Sequence, residues 1–425
     1  MFMVPKARAG LVALAVLLLV QCGGSDGPPQ AGNWDEHDPD TRTVVKASNR
    51  FGLDLLNALY DTAVPGNVLV SPVSISMALT MAWNGARGST ADSMAAVLGI
   101  TGLEQQAVNA ANATLLGRFL RRDRRVQIKV ANSVWVRAGT PVPDSFARVL
   151  RDYYAAHADT LDFADPGAVG VINDWVREKT RGLIPVAVDH LDDVDLLLLM
   201  NAVFFKGIWR KEFDPKHTGL CDFYLVDGTP VQRTIMAAEP EIRYFVREDL
   251  AIARLPYKSD RWAMYILVPG GPDGYEWYLR KAERDSFQPQ TPGAMLAGLL
   301  HRLTLDSLEQ WLSDMDTGNC IIGLPRFTLD YDVRLDSVLP RLGMGHAFSS
   351  RADFSGIAQG FHLTKVLHRA VIEVDEHGTT AAAVTGGAIS GMPPVVVADH
   401  PFLFLIRDDV TKAILFMGVV TDPKS

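Results

Sequence analysis

Apolar residues recur at near-helical spacing from Val44 to Leu59, where Val45, Phe51, Leu55, Leu56 and Leu59 share one face. Ser76 to Asn84 is apolar, Gly85 interrupts it, and Ser89 opens a further helical stretch through Leu98. The period then shortens. Val126–Val136, Leu196–Phe205, Ile252–Pro256, Ala263–Val268, Cys320–Leu324 and Ala413–Val420 are strand-like runs, and Leu305–Leu312 predicts another helix. Helices early, strands late and mixed order predict an α+β fold. No internal repeat is visible. The stretch Gly270–Leu300 mixes Gly, Pro and charge with Tyr275, Trp277 and Tyr278. It reads as an insertion, tolerable because loop-closure entropy grows slowly with length.

The 425 residues, 48% hydrophobic and 21% charged, suffice to bury a large core in one big domain or two ordinary ones. A formal charge of -8 argues against bulk nucleic-acid binding. Cys22, Cys221 and Cys320 never approach the paired spacing of a zinc site, and no metal or cofactor is expected. Lys6 and Arg8 precede a short apolar run, Leu11–Val20, which reads as an export signal. Its end, Leu19-Val20-Gln21-Cys22, resembles the lipobox of bacterial lipoproteins, apart from Gln21 where a small residue is usual. That predicts lipidation at Cys22 and a membrane-anchored protein of the periplasm or cell surface, with plain secretion to the extracellular space as the alternative. Residues 23–43 read as a flexible tether. Gly23-Gly24-Ser25-Asp26-Gly27 matches a hydrolase nucleophile elbow, but without the strand before and helix after that would strain the serine. The remaining thiols, Cys221 and Cys320, are expected to be ordinary buried ones.

From Asn67 the chain reads NVLVSPVSISMALTMAWNGARGSTADSM. NSVWV follows at Asn132, LDF at Leu161, INDWVREKTRGLI at Ile172, NAVFFKGIWRKEF at Asn201, LPRF at Leu324 and LPRLGMGHAFSSRADFSGI at Leu339. VLHRAVIEVDEHGTTAAAV at Val366, PFLFLI at Pro401 and FMGVV at Phe416 complete the order. Together these blocks resemble the serpin family of serine protease inhibitors from Val44 to Pro423. The resemblance implies a single domain, residues 44–425, with three β-sheets, eight or nine helices and an exposed reactive loop near the C-terminus, at about 376–400. It also implies that Ser71, Ser74, Asn201 and His368 form a hydrogen-bonded cluster behind the main sheet. Trp209 is placed where the loop begins to insert. Taken alone, His368 reads as a satisfied structural histidine.

The segment from Glu376 has what a strand needs if it is to slide between two others. Gly378 supplies a pivot. Thr379, Ala381, Ala383 and Thr385 are small at the strand period, with Thr380 and Ala382 between them, and no charge or proline occurs from Thr379 to Ser390. In isolation the alanine-rich run also reads as a helix, although Gly378, Gly386 and Gly387 make a long one poor. Met392 is followed by Pro393, a poor protease substrate; counting back from Pro393 and Pro394 puts the scissile bond at Ser390–Gly391 or Ile389–Ser390. Small or aliphatic residues there suggest elastase-like or subtilisin-like serine proteases, with cysteine proteases also within the family's reach.

Arg118, Arg121, Arg122, Arg124 and Arg125 form a basic cluster that reads as a polyanion site or as a solvated face. Asn112-Ala113-Thr114 is a glycosylation sequon, without meaning in a bacterial setting. The expectation is a monomeric, non-enzymatic inhibitor that traps its protease as a covalent acyl-enzyme. A non-inhibitory binding or chaperone-like member of the family is the alternative that the short loop and Pro393 leave open.

Overall fold

The computed structural model describes residues 38–61, 64–121, 123–259, 261–271, 274–377 and 393–424. Structure begins earlier than the hydrophobic period suggests. Helix α1 spans Pro39–Leu59, because the Asp38 carboxylate accepts from the Asp40 and Thr41 N–H groups and Pro39 occupies the first turn. The supposed tether therefore gives up its last five positions to this helix.

The helical half continues with β1 (Val68–Val70), α2 (Pro72–Gly85), α3 (Gly88–Leu98) and α4 (Gln105–Phe119). Next come β2 (Val126–Arg137), α5 (Asp144–Tyr154), β3 (His157–Leu161), α6 (Ala168–Thr180) and β4 (Leu197–Gly207). Five strands follow: β5 (Thr218–Tyr224), β6 (Pro230–Ala238), β7 (Glu241–Val246), β8 (Leu250–Pro256) and β9 (Trp262–Pro269). Helices α7 (Gly274–Asp285), α8 (Pro292–Arg302) and α9 (Leu305–Ser313) precede β10 (Asp316–Asn319), β11 (Ile321–Pro325) and β12 (Phe327–Arg334). The last strands are β13 (Leu363–Val374), β14 (Val395–Val397), β15 (Phe402–Asp408) and β16 (Ile414–Val420). Nine α-helices and three sheets thus stand among the described residues, an α+β architecture.

The stretch read as a structureless insertion is mostly helical. Gly270, Gly271 and Gly274 take positive φ and turn the chain into α7, which buries Tyr275 and Ala282 two turns apart. The Tyr275 N–H donates to the Asp399 carboxylate at 3.0 Å, and its hydroxyl donates to the Gln290 carbonyl at 3.0 Å. Thr291 then caps α8, with Pro292 in its first turn. Residues that look like loop in sequence here form a short amphipathic helix, with Tyr275 and Ala282 inward and Trp277 covered by Lys281 on the outer, charged face.

The main sheet has the order β12-β13-β4-β2-β3, with β13 and β4 parallel. Alternation along β4 divides two cores. Leu198, Met200, Ala202 and Phe204 face a cluster with Ile172 and Val176 of α6, while Leu197, Leu199, Val203 and Phe205 join the large core shared with α2. Asn201 falls on the second face, a polar interruption in an otherwise apolar stripe. The seven-stranded sheet β1-β16-β15-β9-β8-β7-β10 and the four-stranded sheet β14-β11-β6-β5 complete the body.

Candidate functional site

Cross-strand register places Asn132 of β2 opposite Asn201 of β4, and Asn201 opposite His368 of β13. Three polar residues therefore lie on one line across the centre of the main sheet, on the face that α2 covers. The proton directions in this cluster are determined. The Ser71 N–H donates to His368 Nε2 at 3.2 Å, so Nδ1 carries the imidazole proton and donates to Asn201 Oδ1 at 2.6 Å. The Asn201 amide donates onward to Ser74 Oγ and to Asn132 Oδ1, both at 2.6 Å. All five residues are at most 2% exposed. Only a neutral imidazole satisfies this chain, and burial lowers the His368 pKa to about 3.

Ser71, Ser74, Asn201 and His368 are thus brought together as their shared grouping anticipated, and Asn132 joins them. Sequence reading quoted Asn132 without assigning it. A signal existed: with Ser133 it interrupts the apolar middle of a strand-like run. Only the register, however, reveals its partner.

Trp209 lies at the upper end of the β4–β13 seam. Its indole N–H donates to the Asp375 carbonyl at 2.9 Å, just after β13 ends, and its ring stacks on Tyr257 at 4.5 Å with planes 9° apart. The neighbouring Glu376 is 3% exposed and ion-paired with Arg326. Burial pushes the Glu376 carboxyl up, but hydrogen bonds from Arg326, its own backbone and Thr218 together hold it below the ordinary value. Asp375, Tyr257 and Arg326 were not anticipated, because their partners lie far off in sequence. Gly378, Thr379, Thr380, Ala381, Ala382, Ala383, Thr385, Ile389, Ser390 and Gly391 lie outside the described residues, as do Cys22 and Arg122.

At the lower end of the same seam, the buried Lys365 Nζ meets Asp192 at 2.6 Å and Asp195 at 2.9 Å. Both carboxylates belong to the α6–β4 connection, so this ion cluster ties the foot of β13 to the segment leading into β4. The hydrogen bond from Lys365 is the chief reason the Asp192 pKa falls to about 2.

The basic cluster does not present one face. Arg121, Arg124 and Arg125 are exposed, whereas Arg118 turns toward the body, where burial first and Arg261 second lower its pKa. Arg124 and Arg125 line a cavity of about 340 Å³ with Trp209, Asp375 and His377, which puts them beside the residues that follow β13. Asn112 is buried against Tyr154, so its sequon cannot carry a glycan. Cys320 is buried, and burial raises its thiol to about 12. Cys221 is exposed on β5, an edge strand of the four-stranded sheet, which corrects the expectation that both thiols are interior.

The profile of the Serpin (serine protease inhibitor) family matches residues 46–423. The chain belongs to the serpin family. It is 35% identical to Iripin-2 of Ixodes ricinus over 395 residues, covering 89% of this chain and 93% of that one. It is 33% identical to the leukocyte elastase inhibitor of Bos taurus over 392 residues, covering 89% and 98%. Native protease nexin-1, solved with heparin, superposes with a TM-score of 0.76 at 26% identity, over 90% of this chain and all of that one. In this serpin the polar line across β2, β4 and β13 therefore sits in a fold whose members are in general protease inhibitors.

Proposed function

We propose that the protein inhibits serine-type endopeptidases, elastase-like or subtilisin-like ones foremost, by suicide-substrate trapping: the target acylates itself on the loop at Ser390 or Ile389, and the cut segment enters the main sheet between β4 and β13. The observation carrying this reading is the seam itself. Its centre is held by the hydrogen bond that His368 Nδ1 donates to Asn201 Oδ1, with Trp209 and Glu376 at its head, and the run from Gly378 to Ser390 carries no charge and no proline. A strand entering there forms on the order of ten backbone hydrogen bonds at ~1 kcal/mol net each. That is comparable with the ~5–15 kcal/mol stability of a whole protease domain. The acylated enzyme can thus be distorted before its ester is hydrolysed. Similarity to a leukocyte elastase inhibitor favours the same target class.

Mixing the protein with pancreatic elastase and running denaturing electrophoresis tests the reading; a covalent complex is the expected product. A second reading rests on Pro393 and the short loop: a non-inhibitory binding role, for which the loop would be nicked with neither a complex nor a rise in melting temperature. The export signal and Cys22 support anchoring by lipid, which mass spectrometry of the N-terminal peptide from cells would register as an acylated Cys22. The exposed Arg121, and Arg124 and Arg125 beside the end of β13, support a polyanion partner, as the heparin complex of the nexin suggests.

A further inference from the structure

Strand β5 is one edge of the four-stranded sheet, and its outer side meets no other strand among the described residues. Its neighbours fix which backbone groups point outward. The Tyr224 N–H leaves the β5–β6 pair and donates to the Asp399 carbonyl at 2.7 Å, while Pro230 opposite it has no N–H to offer. Thr234, opposite Leu220, likewise turns its carbonyl away from β5, to the Arg326 N–H at 2.9 Å. Antiparallel pairs alternate, so Cys221 exchanges hydrogen bonds with Arg233 on β6, whereas Leu220 and Asp222 direct their N–H and C=O groups out of the sheet.

Sheet edges are normally blunted by charge, proline, a bulge or shortness. β5 has little of this protection: it is seven residues long, its register with β6 is unbroken, and Gly219–Asp222 are exposed and free of proline. Its one charge, Asp222, is engaged by the Gln232 side chain of β6. Leu220 is 70% exposed, and a Cβ added at Gly219 would meet open space. An open edge can be no more than solvated backbone. What selects an occupant is symmetry, because the outward groups of Leu220 and Asp222 flank Cys221 equally, and Cys221 is itself an exposed free thiol.

We propose that β5 pairs antiparallel with β5 of a second copy of this chain, about a two-fold axis at Cys221. Leu220 of each copy exchanges backbone hydrogen bonds with Asp222 of the other, and the two Cys221 residues oppose each other as a non-hydrogen-bonded pair. Their Cα atoms then stand ~4.5 Å apart, inside the ~4.4–6.8 Å that a disulfide spans. So few hydrogen bonds do not offset the freedom lost on association, so the strand contact is transient until the disulfide locks it. The two thiols give up two protons and two electrons to a small-molecule disulfide such as oxidised glutathione, whose S–S bond breaks to two thiols as the Cys221–Cys221 bond forms. The contact lies on the edge of the sheet away from β14. It uses no residue of the seam or the loop, stands or falls independently of the inhibitory reading, and replaces the expected monomer with a redox-dependent dimer.

Equilibrating the full chain in glutathione redox buffers, followed by non-reducing electrophoresis, light scattering and peptide mass mapping, tests it. The reduced protein is expected to be a monomer and the oxidised protein a dimer linked from Cys221 to Cys221. Hydrogen exchange of the oxidised dimer should show the Leu220 and Asp222 amides slowed at least tenfold relative to the monomer. Leu220→Asp sets like charges opposite each other across the axis and should shift the equilibrium toward monomer by about tenfold, while Leu220→Val leaves it in place. A dimer whose two amides exchange as fast as in the monomer would be chance capture of a surface thiol and would overturn the proposal. So would a glutathione adduct at Cys221 in place of the dimer, or a Leu220→Asp dimer as stable as the parent. The exchange measurement uses the unaltered protein and decides the matter even if a variant fails to fold.

Discussion

The seven-stranded sheet and the main sheet are both buried, yet they are held by different chemistry. From Phe402 to Ile406 and from Ile414 to Val420, β15 and β16 bury every residue and expose none that is polar. The middle of the main sheet instead carries Asn132, Asn201 and His368 in register, with Lys365 at its foot. Apolar burial is non-directional and offers no exchange of partners, so a sheet built that way opens only with the whole fold. Buried polar groups are costly unless paired, but a few named bonds can be broken and remade. On the proposed reading, the first sheet is permanent and the second is closed by a small number of specific contacts.

The largest effect is expected where partners cannot be exchanged. Phe404 is fully buried and packs on Phe327 at 5.6 Å; Phe404→Ala should cost about 3–5 kcal/mol through lost burial and the cavity left behind. Intact and loop-cleaved protein should lose that stability equally in urea denaturation, since on the proposed reading the cut segment enters the main sheet and not this one. A selective loss in one form would break the comparison. Next comes Lys365→Met, which leaves Asp195 buried without its cation and should cost ~2–4 kcal/mol, less than a fully enclosed pair because Asp192 is partly exposed. Here the intact form should suffer most, with spontaneous conversion to a loop-inserted, inactive form on warming, followed by native electrophoresis.

How much of this was legible beforehand follows the same division. Periodicity found Leu196–Phe205 and Ala413–Val420 almost to the residue, because strands buried in two cores are unmistakably apolar. The grouping of Ser71, Ser74, Asn201 and His368 came from resemblance alone; nothing in spacing joins Ser71 to a residue in the last sixty. Asn132, Lys365 with Asp195, and Glu376 with Arg326 stayed hidden, because each pair is made by strand register or by a long connection. Helix α7 was lost for a local reason: only Gly274, Tyr275 and Ala282 are buried along it, too sparse an apolar stripe for a linear reading to separate from loop.

Acid should loosen the main sheet selectively. His368 is neutral in the fold with a pKa of about 3, below its ordinary value near 6.5, so the unfolded chain takes up the proton first. Its contribution is complete above about pH 6.5 and declines as pH falls toward 3, by up to ~1.4 kcal/mol per unit. Urea midpoints of the intact protein should fall across that window, and His368→Gln should flatten the profile. A midpoint independent of pH between 6.5 and 4.5 would mean that the imidazole is not held neutral by the Ser71 N–H.

The smallest effect belongs to the head of the seam. Glu376 is buried, but the Arg326 side chain is 41% exposed, so water screens much of their attraction. Glu376→Gln should therefore cost only ~1 kcal/mol. Its pH dependence has the same sign as that of His368 but lies in a lower window. The Glu376 carboxyl is held below its ordinary value, so its stabilisation is present above about pH 4.5 and disappears as pH falls through the depressed native value. Variant and parent should differ at neutral pH and converge in strong acid, while the His368 effect has already appeared by pH 5. If the two substitutions shifted stability over the same pH range, the head and the centre of the seam would be one coupled unit, not two separable fastenings.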